Sequence, residues 1–319
     1  MSCIFTSWFA RLDLGGVAGK RSAVRSKNIQ VWKEEDVMME KEMKRMRLEN
    51  KTDGFGKVVK GVLIIFAVVM GIGGSMLLSA IFGKQLKAAF PNYYVLEFVM
   101  ELISALLGLV LIFTYRKQKV LRLSAKGMKE GMICGMAWAL IPIIPILNIV
   151  YDIKNGQNLQ WIQGWEMMFL FLQCFLIGLF EEIIFRGIVL ELFFEIFGLD
   201  TKKQAKHAIA FSAVVFGAVH LINAIHPEIT FKAALMQAIS VAGIGLVFGA
   251  IYYRSERMLW PCVIYHAIQD ASGFVASGTF YGVTQKEAIG SMGIGQIFYS
   301  LLFVVWFFYL MRDRQEEED

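Results

Sequence analysis

Met167-Met168-Phe169-Leu170-Phe171-Leu172-Gln173-Cys174-Phe175-Leu176-Ile177-Gly178-Leu179-Phe180-Glu181-Glu182-Ile183-Ile184-Phe185-Arg186 decides the fold. A long apolar run ends in two carboxylates and an arginine, and more apolar residues follow. The run is of membrane-spanning type. An ionisable group in hydrocarbon costs ~2.5–3.5 kcal/mol on insertion scales, so the charges that end it need a reason. Glu182 and Arg186 are four apart and share a helix face, which predicts an ion pair. Glu181 lies about 100° round the helix from Glu182. One carboxylate is thus neutralised while its neighbour stays free for proton transfer.

The whole chain has the same character. It has 319 residues, 56% of them hydrophobic and 18% charged. Soluble chains run at ~45–50% apolar and ~25% charged, so a soluble globule could not hide this much apolar surface. The four cysteines (Cys3, Cys134, Cys174, Cys262) form no CxxC pair. This rules out a disulfide scaffold and a thiolate zinc site. The reading is an all-α, polytopic membrane protein with about eight transmembrane helices.

Eight apolar stretches of spanning length follow from hydropathy, at about 61–83, 93–115, 131–151, 161–185, 205–224, 233–253, 258–279 and 293–311. Counted between them in alternation, 26 Lys/Arg fall on one side and 5 on the other. The positive-inside rule then places both termini in the cytoplasm. The expected organisation is a basic cytoplasmic arm over residues 1–60, a helical domain over 61–311, and a charged cytoplasmic tail over 312–319. The expected setting is a bacterial plasma membrane. Gly127, Gly131 and Gly135 recur at i, i+4 and i+8, and Gly245 and Gly249 repeat that spacing. Both series predict smooth helix faces at close contacts.

The remaining intramembrane charges sort by context. Glu97, Glu101 and Glu166 fall towards outer helix ends and read as interfacial. His207 follows three lysines at a cytoplasmic helix start, and His226 precedes Pro227 in an exterior loop; both read as solvated. His220 sits deep in the fifth stretch, with Phe216 at i−4. His266 carries Asp270 at i+4, and a carboxylate one turn away can fix an imidazole's tautomer and orientation. Gly198 and Asp200 read as a helix stop and the next N-cap. From a hairpin tip at Asp200, Glu181 and His220 both lie ~29–30 Å away at 1.5 Å per residue, and are therefore level. Bringing His266 level as well needs the hairpin, with Glu191 and Glu195 on one face, to project ~15 Å into the cytoplasm.

Glu181-Glu182-x-x-x-Arg186, Phe216-x-x-x-His220 and His266-x-x-x-Asp270 resemble the three-motif signature of the CPBP (Abi) family. Its members are CAAX-protease-like and bacteriocin-processing intramembrane proteases. Arg186-Gly187 and Leu259-Trp260-Pro261 resemble it too, and the likeness covers about residues 165–275. The resemblance implies an α-helical membrane endopeptidase whose helices enclose a polar intramembrane cavity, with Glu181 as the base that activates water and His220 helping to position it. By the same resemblance His266 and Asp270 stabilise the oxyanion. Asp270 departs from the Asn often found there in eukaryotic members, and an ionised Asp cannot donate a hydrogen bond. Either Asp270 is protonated, or it orients His266 and the imidazolium carries the oxyanion, or it binds metal.

The expected site is therefore Glu181, Glu182, Arg186, His220, His266 and Asp270. If a divalent metal such as zinc is used, Glu181, His220, His266 and Asp270 are its ligands; a metal-free mechanism uses the same residues. The expected partners are a membrane-associated peptide or protein substrate and the lipid bilayer, with no nucleic acid. Two other classes fit parts of the pattern. One is a non-catalytic bacteriocin-immunity or partner-binding protein of the same fold. The other is a proton-coupled transporter, which predicts a repeat between two halves that the sequence does not show.

Overall fold

The computed structural model describes residues 54–157, 159, 162–274, 282–283 and 285–312. All of them belong to the compact unit running from Thr52 to Asp319. Most of the expected arm, nearly all of the expected tail and residues 275–279 of the seventh stretch lie outside the described residues. All regular structure among the described residues is helical. In chain order the helices are α1 (Gly54–Ala89), α2 (Tyr93–Thr114), α3 (Ala125–Cys134), α4 (Met136–Lys154), α5 (Gly164–Phe197), α6 (Lys202–Ile225), α7 (Phe231–Arg254), α8 (Trp260–Phe274), α9 (Gln285–Gly290) and α10 (Gly295–Leu310).

Six of them, α1, α2, α4, α5, α6 and α7, are long and apolar enough to cross a membrane. Within the described residues the seventh and eighth stretches form helices of 15 and 16 residues, below the ~20 residues a bilayer crossing needs. The fold is an all-α, polytopic membrane fold. Its outer surface agrees: Phe55, Val62 and Ile65 on α1 and Leu302, Val305 and Phe308 on α10 stand exposed. Contiguous apolar surface of this kind is covered by lipid in a membrane protein.

Helix ends follow local chemistry. Asn92 caps α2 by accepting from the backbone N–H groups of Tyr94 and Val95. Gly198 ends α5 with φ +87°, a conformation open to glycine without penalty. The cap of α6, however, is Thr201 and not Asp200. The Thr201 hydroxyl accepts from Gln204 N, and the Gln204 side chain returns to Thr201 N. That reciprocal pair satisfies two orphan donors at once, which a lone Asp cannot do. The third stretch is also broken. Its α-helix stops at Cys134, a 3₁₀ segment runs over Met136–Leu140, and the α-helix resumes after Pro142; proline supplies no N–H to a continuous ladder.

Two pairings organise the bundle. Helix α5 packs between α2 and α8, and α7 packs between α6 and α10. The glycine series makes the close contacts expected of it. A Cβ on Gly131 would lie 2.5 Å from Pro261, one on Gly127 would lie 2.6 Å from the Ser255 carbonyl, and one on Gly135 would overlap the Tyr265 ring. These three seat the start of α8. Gly245 and Gly249 accept Ala213 and Ile209 of α6 in the same way. We expect Gly135→Val to lower thermal stability in detergent by about 1–3 kcal/mol or more, the usual range for overpacking. Gly83→Ala, with nothing within 4 Å of the added carbon, should melt like the wild type. Equal melting of the two variants would show that α3 and α8 are not held this closely.

Helix α5 runs 34 residues, about 51 Å at 1.5 Å per residue, well beyond a ~30 Å hydrocarbon core. The surplus fits a hairpin longer than the bilayer, but its carboxylates are not a solvated face. Glu191 is 3% exposed; it accepts from the Tyr252 hydroxyl and pairs with Arg257. Glu195 is ion-paired with Lys60 and Lys117. Neighbouring helices supply those cations, and no spacing within α5 could reveal them.

Candidate active site

The site begins at a change of helical winding. Helix α5 is α-helical up to Glu182, then winds as a π-helix from Ile183 to Leu190, and every residue of that turn is buried. π-Turns are rare and concentrate at functional sites. This one is packed by α1, α2, α6 and α7 together.

Glu182 is fully buried. Its Oε1 accepts from Arg186 Nη1 at 2.8 Å, the ion pair that the spacing predicts. The same oxygen lies 2.8 Å from His266 Nδ1. A carboxylate oxygen only accepts, so Nδ1 carries the proton. Arg186 is as deeply buried, with its guanidinium 4.4 Å from the Phe216 ring centroid and 5.4 Å from that of Phe248. Aromatic faces attract a desolvated cation.

Of the three roles open to Asp270, holding the His266 ring by a direct hydrogen bond is not the one seen. Asp270 Oδ2 stands 3.7 Å from His266 Nε2, too far for a hydrogen bond. The ring is fixed from the next helix, by Glu182. That reach depends on Gly178, where an added Cβ would lie 3.1 Å from the Val263 carbonyl and 3.2 Å from His266 Cβ. With no side chain at 178, α8 lies directly on α5 one turn before the two glutamates. His266 Nε2 consequently faces two carboxylates, Glu181 Oε2 at 3.6 Å and Asp270 Oδ2 at 3.7 Å.

His220 stands where α6 changes from α-helix to a 3₁₀ turn, His220–Ile225. Its Nδ1 is 2.9 Å from the Phe216 carbonyl. A carbonyl only accepts, so Nδ1 carries the proton and a neutral ring keeps Nε2 as an acceptor. Phe216 ties the halves together. Its ring lies edge-on to His220, with centroids 5.2 Å apart, and 6.3 Å from His266. Three motifs that are far apart in sequence thus share one aromatic ring.

Glu181 and His220 line the same cavity, of about 340 Å³, with Glu101, Asn223, His226 and Gln237 also on its wall. The structure therefore gathers all six expected residues. It adds Glu101 and His226, which their positions in the sequence had assigned to the interface and to an exterior loop. The signal for Glu101 was its depth, two turns inside an apolar helix, where a carboxylate is costly. Nothing in the sequence pointed to His226. Glu166 does behave as an end residue, accepting from Asn92 Nδ2 at 2.8 Å.

Residues 163–272 match the family model of Rce1-like, type II CAAX prenyl endopeptidases. The matched segment, about a third of the chain, runs from the cap of α5 into α8 and contains all six site residues. The three motifs that carry the CPBP resemblance all fall inside that matched segment. At family level the match supports a CAAX-type intramembrane protease in a multi-pass membrane protein. No curated protein and no solved structure matches the chain.

Among the described residues no three His, Cys, Asp or Glu side chains are grouped to hold a metal ion. Both imidazoles give Nδ1 to protein acceptors, one a carboxylate and the other a carbonyl, and keep Nε2 free.

Proposed function

We propose that this chain is an intramembrane endopeptidase that cleaves a membrane-associated peptide or protein with water activated by Glu181. The supporting observation is the double placement of Glu181. It is on the cavity wall beside His220 and 3.6 Å from His266 Nε2. In the proposed reaction the Glu181 carboxylate takes a proton from water, and the hydroxide attacks the carbonyl carbon of the scissile bond. His220 Nε2 accepts a hydrogen bond from that water and orients it. His266, held through Nδ1–H by Glu182, presents Nε2 and, when protonated there, donates to the oxyanion. Glu181 then returns its proton to the leaving nitrogen as the C–N bond breaks. Arg186 keeps Glu182 charged in its buried position.

Substrate-trapping proteomics in native membranes tests this reading. Cleavage products should appear with the wild type and be absent with Glu181→Ala. Identical product sets would remove the hydrolytic reading and leave a non-catalytic partner-binding role.

The proposed topology puts both termini in the cytoplasm, with α8 and α10 counted as passes. Cysteine introduced at Lys286 should then be labelled by an impermeant reagent in intact cells, and cysteine at Lys203 should not. External labelling at position 203 would reverse the orientation.

A further inference from the structure

Glu101 is the carboxylate in the cavity that the proposed reaction does not use. It lies on α2 one turn after Glu97, inside a helix that crosses the membrane. It makes no hydrogen bond or ion pair with another described residue, yet it faces the cavity that holds Glu181 and His220. A carboxylate at such a depth is either held neutral or matched by a counter-group, and the described protein residues provide no cation beside it.

The rest of the wall indicates the chemistry of that group. No Lys or Arg lines the cavity. Asn223 Nδ2 is spent on Gln237 Oε1 at 2.7 Å, and His220 Nδ1 is spent on a carbonyl. Four acceptors remain, the carboxylates of Glu101 and Glu181, the Asn223 amide oxygen and His220 Nε2, beside the His226 ring and the Gln237 amide nitrogen. Ile72, Met76, Ile222 and Ile225 supply an apolar side. An aliphatic stem ending in a multiple donor matches both surfaces, because an ammonium offers three donors and a guanidinium five.

We propose that Glu101 is a specificity residue that seats a lysine or arginine of the substrate next to the scissile bond. This rests on the peptidase reading above and narrows its substrate class to polypeptides with a basic residue at the cleavage site.

The test uses purified full-length protein in nanodiscs and a set of model peptides anchored by one apolar segment. Lys, Gln or Glu is scanned through the positions around one fixed sequence. The wild type should cleave the peptides with Lys at one or two positions at least about tenfold faster, in kcat/KM, than the matched Glu peptides, as expected for a desolvated charge pair. Glu101→Lys should reverse the order at those positions, and Glu101→Gln should flatten it. Reversal is a readout that damage to the fold cannot produce. Cleavage by the wild type without charge preference, or a preference unchanged in both variants, would overturn the assignment and leave the peptidase reading standing. An equal loss on every peptide in Glu101→Gln would also overturn it, in favour of a proton-transfer role. Cleavage of the set no faster by the wild type than by Glu181→Gln would overturn the peptidase reading, and this inference with it.

Discussion

Glu181→Gln should give a folded, membrane-inserted protein whose turnover of an identified substrate falls by at least ~10²-fold, the low end of what a general base contributes. The substitution keeps the shape of the side chain and a hydrogen-bonding group, and it removes the proton acceptor. Expression and melting should stay close to wild type, because Glu181 is only partly buried and its neighbour at 3.6 Å, His266, is anchored elsewhere. His220→Ala should lose a similar factor. The double variant should lose little more than either single one, since residues that act as a unit are not additive. Purified variants assayed side by side measure all three. Near-normal turnover by Glu181→Gln would sink the proposed mechanism.

The second large effect concerns the buried charges behind the base. Glu182 and Arg186 are each almost inaccessible. Taking one partner away leaves the other charge uncompensated and costs ~3–5 kcal/mol. Glu182→Gln and Arg186→Gln should therefore lower expression and thermal stability as well as activity. Replacing both charges, as in Glu182→Met with Arg186→Met, removes the unpaired charge, and well-packed apolar replacements of buried pairs are often neutral or stabilising. The double variant should melt above either single variant. It should remain inactive all the same, because His266 loses the oxygen that holds its Nδ1–H. Thermal unfolding in nanodiscs with a parallel cleavage assay separates the two roles. Full stability of both single variants would show that the pair is not buried as described, and recovery of activity in the double variant would show that Glu182 does not orient His266.

The contrast between the two neighbouring glutamates shows how far the sequence reaches. Hydropathy identified a helical membrane protein, because lipid leaves a chain no other way to satisfy its backbone except a closed barrel. The i, i+4 spacing identified the Glu182–Arg186 pair, because helical geometry fixes which residues four apart meet. The three motifs identified the family region for a similar reason, each being a short pattern on one helix. The glycine series showed where helices touch, since an absent side chain is visible in the sequence.

What the sequence left open depends on which helices meet. His266 is oriented by a residue 84 positions away, and the approach is set by the bare backbone at Gly178. Its near neighbour Asp270, which local spacing favoured, stands too far away for a hydrogen bond. Glu191 and Glu195 read only as one face of a projecting hairpin until α1 and the turns after α2 and α7 brought cations to them. Glu101 read as interfacial because helix depth is local information, whereas facing a cavity is not. The π-turn after Glu182 left no pattern in the residues it contains, being a compromise among the four helices packed round it. The sequence by itself determined that the chain is a helical, multi-pass membrane protein, that Glu182 pairs with Arg186 and that the glycine series makes close contacts, all of which follow from relations within one or two turns. The tertiary structure alone decided which carboxylate holds which base, because close packing between helices sets those distances and no periodicity along the chain encodes them.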